Sequence, residues 1–164
     1  MPAGGSCLLS SINLSSVVNE EGSIDWGRLE FLTKEFVIYL NEILDEGLEL
    51  HPLEEQRESV NKWKQIGLGI MGLGSMLVKM GIKYGSEEAI ELSEQIAEFI
   101  LNHALQQSAL IAKEKGTYPA YNEKVLETNF FKQNAWDNTQ ELVKKYGLRN
   151  SQLLTIAPNK WALI

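Results

Sequence analysis

Trp63-Lys64-Gln65-Ile66-Gly67-Leu68-Gly69-Ile70-Met71-Gly72-Leu73-Gly74-Ser75-Met76-Leu77 is the stretch whose reading decides the fold. Gly67, Gly69 and Gly72 match the dinucleotide fingerprint G-x-G-x-x-G, in which a strand leads into the glycines and a helix begins within them. Glu87 and Glu88 fall roughly where a ribose-binding acid would stand. Lys62-Trp63-Lys64-Gln65 shows no strand character, however, and the glycines continue at Gly74. A central, buried helix over 63–80, apolar on most faces and with small residues that admit a close neighbour, accounts for the same letters and is the reading adopted. A nicotinamide-dependent oxidoreductase then rests on three glycines alone.

Amphipathic helices extend to either side of this stretch. Asp25 is an N-cap for a helix with apolar residues at Leu29, Leu32, Phe36, Leu40, Ile43 and Leu44, stopped by Gly47. Pro52 suits a first helical turn, which gives a short charged helix to about Asn61. Ser86-Glu87-Glu88 caps a long helix, with acids at its positive end and Lys113, Lys115 and Gly116 at its close. Thr117-Tyr118-Pro119 reads as a turn, 121–136 has no clear period, and Asn138 to Tyr146 is helical with Gly147 as its stop.

The ends of the chain differ. Cys7-Leu8-Leu9-Ser10-Ser11-Ile12-Asn13-Leu14 and Gln152 to Ile156 read as short buried strands. Lone strands leave backbone groups unpaired, so these two either meet each other or belong to a sheet whose other strands lie outside the chain, which points towards a fragment. The expected architecture is one mainly α unit with a short strand near each end.

Composition narrows the function. The 164 residues are 44% hydrophobic, enough for one core. A formal charge of -7 provides no basic field for nucleic acid. A single cysteine closes no internal disulfide, and no stretch reaches the roughly 18 apolar residues of a membrane span. Without a signal-peptide pattern, the expected location is cytoplasmic.

Individual residues offer little chemistry of their own. His51 and His103 lie in no metal-binding spacing, so surface or capping histidines are expected and no metal site is assigned. Glu87, Glu88, Glu91, Glu94 and Glu98 fall at helical spacings and read as a solvated face. Cys7 has two readings, an inert core thiol or a thiol beside a cavity, given the glycines before it and the hydroxyl residues after it.

The wider pattern favours the second. Gly4-Gly5-Ser6-Cys7-Leu8-Leu9-Ser10-Ser11-Ile12-Asn13-Leu14 resembles the segment of ribonucleotide reductase catalytic subunits that carries a redox-active cysteine. Gln65 to Leu73 is similar to that family's glycine-rich helix, and Arg149-Asn150-Ser151-Gln152-Leu153-Leu154-Thr155-Ile156-Ala157-Pro158 to the strand entering its phosphate loop. Glu114-Lys115-Gly116-Thr117-Tyr118-Pro119 fits between them. The resemblance runs from about Pro2 to Pro158, with the anchors in the family's order.

The resemblance implies the helical portion of a ten-stranded α/β barrel, as a single partial domain over 1–164. It implies that Cys7 is one of a pair of reducing cysteines that end as a disulfide when the ribose 2′-hydroxyl leaves as water, and not the radical cysteine. Leu9, Ala157 and Pro158 are implied as substrate-contacting positions. No cofactor is implied within these residues, though the whole enzyme takes a radical from adenosylcobalamin or a metal-radical subunit. The radical cysteine and its base are absent, and Asn159-Lys160-Trp161 stands where the family's phosphate loop continues. An internal piece, inactive alone and completed by other reductase segments, is therefore expected, with a ribonucleotide bound only when the site is complete. A self-associating, non-catalytic helical domain is the alternative.

Overall fold

The computed structural model describes residues 5–156. Its elements are β1 (Leu8–Asn13), α1 (Trp26–Gly47), α2 (Glu54–Trp63), β2 (Ile66–Met71), α3 (Leu73–Met80), α4 (Glu87–Lys115), α5 (Asn129–Asn134) and α6 (Asp137–Tyr146). The first half of the glycine-rich stretch is thus a strand, and only Leu73–Met80 is helical. The physical reason lies in a period of two. Ile66, Leu68 and Ile70 point to one side, and Gly67 and Gly69 to the other. A helix would scatter those three apolar side chains and lose about 1 kcal/mol at each interior glycine. As a strand, Ile66 and Leu68 become almost wholly buried. Their burial is worth about 1.5–3 kcal/mol each.

β1 and β2 pair in parallel, with Leu9 opposite Gly67 and Ser11 opposite Gly69. Parallel neighbours need a long crossover, which α1 and α2 supply. The segment 152–156 is no regular strand, but it joins the other edge of β2 through a parallel bridge from Leu154 to Leu68. The Leu68 N–H donates to Leu153 O at 2.8 Å, and the Thr155 N–H donates to Leu68 O at 3.1 Å. The two end segments therefore do not meet each other, because β2 lies between them.

All the long helices gather on one side of this sheet. α1 packs against both strands and against α4, while α6 lies on α4. Leu14, Val17, Leu29, Val37, Met76 and Ile96 form the dry centre with Ile12, Ile66 and Leu68. Helix ends follow the capping chemistry. Asp25 accepts from Arg28 N at 2.9 Å, Ser86 accepts from Ala89 N at 3.3 Å, and Gly116 and Gly147 close α4 and α6 at positive φ. α2 starts at Glu54, after an extended Leu53, so Pro52 precedes the first turn instead of forming it.

A buried polar frame aims β2. Lys64, immediately before the strand, is the only non-glycine residue at positive φ among those described, with φ 44°. That turn costs about 1–2 kcal/mol and is held from several directions. Lys64 Nζ donates to Asp45 Oδ1 at 2.9 Å, and Lys64 O accepts from Asn150 Nδ2 at 2.9 Å. Asn150 and Asn41 exchange amide hydrogen bonds at 2.8 and 3.1 Å, and Ser108 Oγ donates to Asn150 Oδ1 at 2.9 Å. One side chain thus ties α1, α4 and the approach to β2 to the segment that becomes the third sheet element.

Candidate functional site

The sheet face turned away from the helices carries Leu9 and Ser11 from β1, Gly67, Gly69 and Met71 from β2, and Thr155 beside them. Leu9 and Met71 are among the exposed large hydrophobic residues, although Ile12, Ile66 and Leu68 on the opposite face are almost wholly buried. Cys7 joins this face just before β1 begins. A Cβ placed on Gly67 would lie 3.1 Å from Cys7 Sγ, 2.7 Å from Leu9 Cδ2 and 2.5 Å from Thr155 Cγ2. One placed on Gly69 would lie 2.6 Å from the backbone oxygen of Thr155. Glycine at 69 therefore permits close strand approach, whereas glycine at 67 leaves room that the side chains of Thr155, Leu9 and Cys7 already occupy.

The thiol is free and partly buried. Its sulfur lies 3.8 Å from the Leu8 carbonyl oxygen, a weak contact. Burial pushes its pKa above the usual thiol value. At neutral pH it is therefore a neutral thiol, slow as a nucleophile but able to deliver hydrogen. This differs from the acidic thiol that facile exchange favours. A cavity of about 400 Å³ adjoins the residue, lined also by Ser6, Leu44, His51 and Gln65.

Asp45 anchors the frame that holds this face in register. Its carboxylate accepts from Lys64 Nζ, from Arg149 Nη2 at 2.9 and 3.1 Å, and from Lys115 Nζ at 3.3 Å. Burial works to raise its pKa, but the Lys64 hydrogen bond and the charges of Arg149 and Lys64 outweigh it and hold the carboxyl below its ordinary range. Sequence reading missed this cluster because its members lie far apart along the chain.

Other candidates disperse. Leu9 shares the open face with Cys7, whereas Ala157 and Pro158 lie outside the described residues. His103 is no surface or capping residue: it is buried among aromatic rings, with centroids 4.3 Å from Phe99 and 5.5 Å from Trp136. Burial lowers its pKa, so it is neutral at pH 7. Glu87, Glu88, Glu91, Glu94 and Glu98 form an exposed helix face, as their spacing requires. Gly67 and Gly69 lie inside a strand, leaving only Gly72 at a strand-to-helix turn, so the dinucleotide fingerprint has no phosphate-cradling loop. Among the described residues no three His, Cys, Asp or Glu side chains are grouped to hold a metal ion. Nor is any helix there long and apolar enough to cross a membrane.

Parallel strands joined by helical crossovers, with helices on one face and a thiol on the open one, define a piece of α/β architecture. The family model described as ribonucleotide reductase, barrel domain, matches residues 2–161, and the chain belongs to that family. It is 32% identical to the ribonucleoside-diphosphate reductase subunit alpha of Chlamydia trachomatis over 93% of its length. Identity is 36% over 72% of the chain with a vitamin B12-dependent ribonucleoside-diphosphate reductase of Mycobacterium tuberculosis. With the ribonucleoside-diphosphate reductase large chain of Neurospora crassa it is 33% over 93%. The chain spans only 16–17% of the length of these relatives.

Proposed function

We propose that Cys7–Asn13, Ile66–Met71 and 152–156 form part of the inner wall of a ten-stranded barrel in a ribonucleotide reductase catalytic subunit, with Cys7 as one of its two reducing thiols. The observation that carries this reading is the placement of the thiol. It stands on the sheet face opposite the helices, beside glycines that keep the wall low, where a substrate inside a closed barrel would pass. Leu9 on the same face, together with Ala157 and Pro158, would contact the ribonucleotide.

The chemistry required of Cys7 balances with a second thiol. Two thiols give up two hydrogen atoms, that is two protons and two electrons in all, and form one S–S bond. One hydrogen replaces the ribose 2′-hydroxyl on carbon, and the other leaves with that hydroxyl as water. A thiol held neutral by burial carries the hydrogen it must deliver. Its partner thiol comes from outside this chain, which has one cysteine.

The relatives include a vitamin B12-dependent reductase, and adenosylcobalamin or a metal-radical subunit would supply the radical in the whole enzyme. Among the described residues no three His, Cys, Asp or Glu side chains are grouped to hold a metal ion. The remaining reductase segments are its expected partners.

With those segments supplied, Cys7→Ser is expected to lower multiple-turnover deoxynucleotide formation by more than about 10²-fold, with substrate affinity little changed. The isolated chain should show no turnover with reductant and a radical source. Undiminished turnover by the Cys7→Ser enzyme, or clear activity of the chain alone, would overturn the assignment.

A further inference from the structure

The outer face of α1 carries an electrostatic cost that the fold does not offset. Leu29, Val37 and Leu44 bury one side of the helix, which packs on the sheet and on α4. On the other side Phe31, Glu35, Tyr39, Glu42, Ile43 and Glu46 fall in one row at helical spacing. Phe31, Tyr39 and Ile43 are 60%, 54% and 55% exposed, and Leu50, just past the helix, is 81% exposed.

Single exposed apolar residues are ordinary on a surface, so the carboxylates decide what the row does. Glu42 and Glu46 are like charges one helical turn apart, and both lie towards the negative end of the helix dipole. The last turn of α1 has no basic residue. Among the described residues Glu35, Glu42 and Glu46 enter no salt bridge. Lys34, the sole lysine or arginine from Phe31 to Leu53, is held by Glu30 at 2.5 Å. A cation brought from outside would relieve both the mutual repulsion and the clash with the dipole.

We propose that this face of α1 docks a cationic amphipathic helix of a separate protein, its apolar side chains on Phe31, Tyr39 and Ile43 and its lysines or arginines beside Glu35, Glu42 and Glu46. From Phe31 to Glu46 the row spans roughly 22 Å along the axis, which a partner helix of about four turns matches. A segment sealed permanently over it would take three carboxylates out of water, a loss that pairing recovers only in ideal geometry. A separable interface keeps such charges at a wet rim. The helix itself stands between this row and the open sheet face, so docking leaves Cys7 accessible and is independent of its redox role.

The test is a fluorescence-anisotropy titration of the full chain into a labelled peptide of about three Lys-Leu-Ala-Lys-Leu-Ala-Lys repeats, whose leucines line one side of a helix. Saturable binding is expected, weakened about tenfold by Glu42→Lys/Glu46→Lys and about fivefold by Tyr39→Ser. The same charge change on α4, Glu91→Lys/Glu94→Lys, should alter it less than about twofold. All five side chains are exposed, and circular dichroism checks each fold. Equal weakening by both double variants would reveal mere attraction to an acidic protein and overturn the proposal, as would binding that no variant moves or no binding at all. Sedimentation adds a further arm: self-association abolished by Glu42→Lys/Glu46→Lys would give the row to a second copy. Loss of peptide binding once the remaining reductase segments are added would give it to them, and either result overturns docking of a separate protein.

Discussion

Asn150→Ala is expected to destabilise the folded chain by about 3–5 kcal/mol, among the larger effects a single substitution produces. Asn150 is 1% exposed and satisfied on both ends of its amide. Its Nδ2 donates to Asn41 Oδ1 and Lys64 O, and its Oδ1 accepts from Asn41 Nδ2 and Ser108 Oγ. Truncation leaves several of these groups buried without a partner, each at about 1–3 kcal/mol, and opens a void among them. Ser108 Oγ keeps its bond from Arg149 N and Asn41 Nδ2 keeps Val37 O, so the losses do not simply add. Thermal unfolding should shift downward by roughly 10 °C. Asn150→Asp is a sharper variant, because it retains the shape while replacing the donor to the Lys64 carbonyl with an acceptor. Both substitutions should loosen the turn before β2, visible as faster amide exchange in Ile66 and Leu68.

Asp45→Ala is expected to lower stability at neutral pH by about 3 kcal/mol, with a characteristic pH dependence. Lys64 and Arg149 are 5% and 8% exposed and share this one carboxylate, so its removal leaves two buried cations without their counter-charge. Lys115 is more open and adds little. The carboxyl pKa is depressed in the fold, so the folded chain binds fewer protons than the unfolded one. The stabilisation is therefore complete above the unfolded value near 3.8 and is lost as pH falls through the folded pKa. Denaturant unfolding across pH should show the original chain and Asp45→Ala far apart at pH 7 and converging below about pH 4. A constant separation would mean that the carboxylate's charge is not what holds Lys64 and Arg149.

Much of the helical framework was legible because its signals are local. Asp25 and Ser86 cap the helices their side chains predict, and Gly116 and Gly147 end them at positive φ. The glycine-rich stretch was misread for a different reason. Ile66, Leu68 and Ile70 alternate strictly with glycines, a period-two signal masked by Met76 and Leu77, which continue the apolar run into a true helix. Glycine's poor strand propensity hides the strand further, since its value here lies in what lies across from it: Cys7, Leu9 and Thr155 on neighbouring segments. The polar frame was invisible for the same cause. Asn41, Lys64, Ser108 and Asn150 meet only after folding, and no spacing announces them. Cys7 stood out through its family resemblance, while its raised pKa, its partial burial and its place beside Gly67 came only from the fold.

The role of Cys7 is open to one direct measurement. The assembled reductase, with every segment present and Cys7 fully reduced, would be given ribonucleotide for a single round without external reductant, then quenched with an alkylating reagent and mapped by mass spectrometry. Cys7 should disappear from the alkylated pool in step with deoxynucleotide formed, as a disulfide to a cysteine outside this chain, and return when dithiothreitol is added before the quench. Product formed while Cys7 remains fully alkylatable would contradict its role as a reducing thiol.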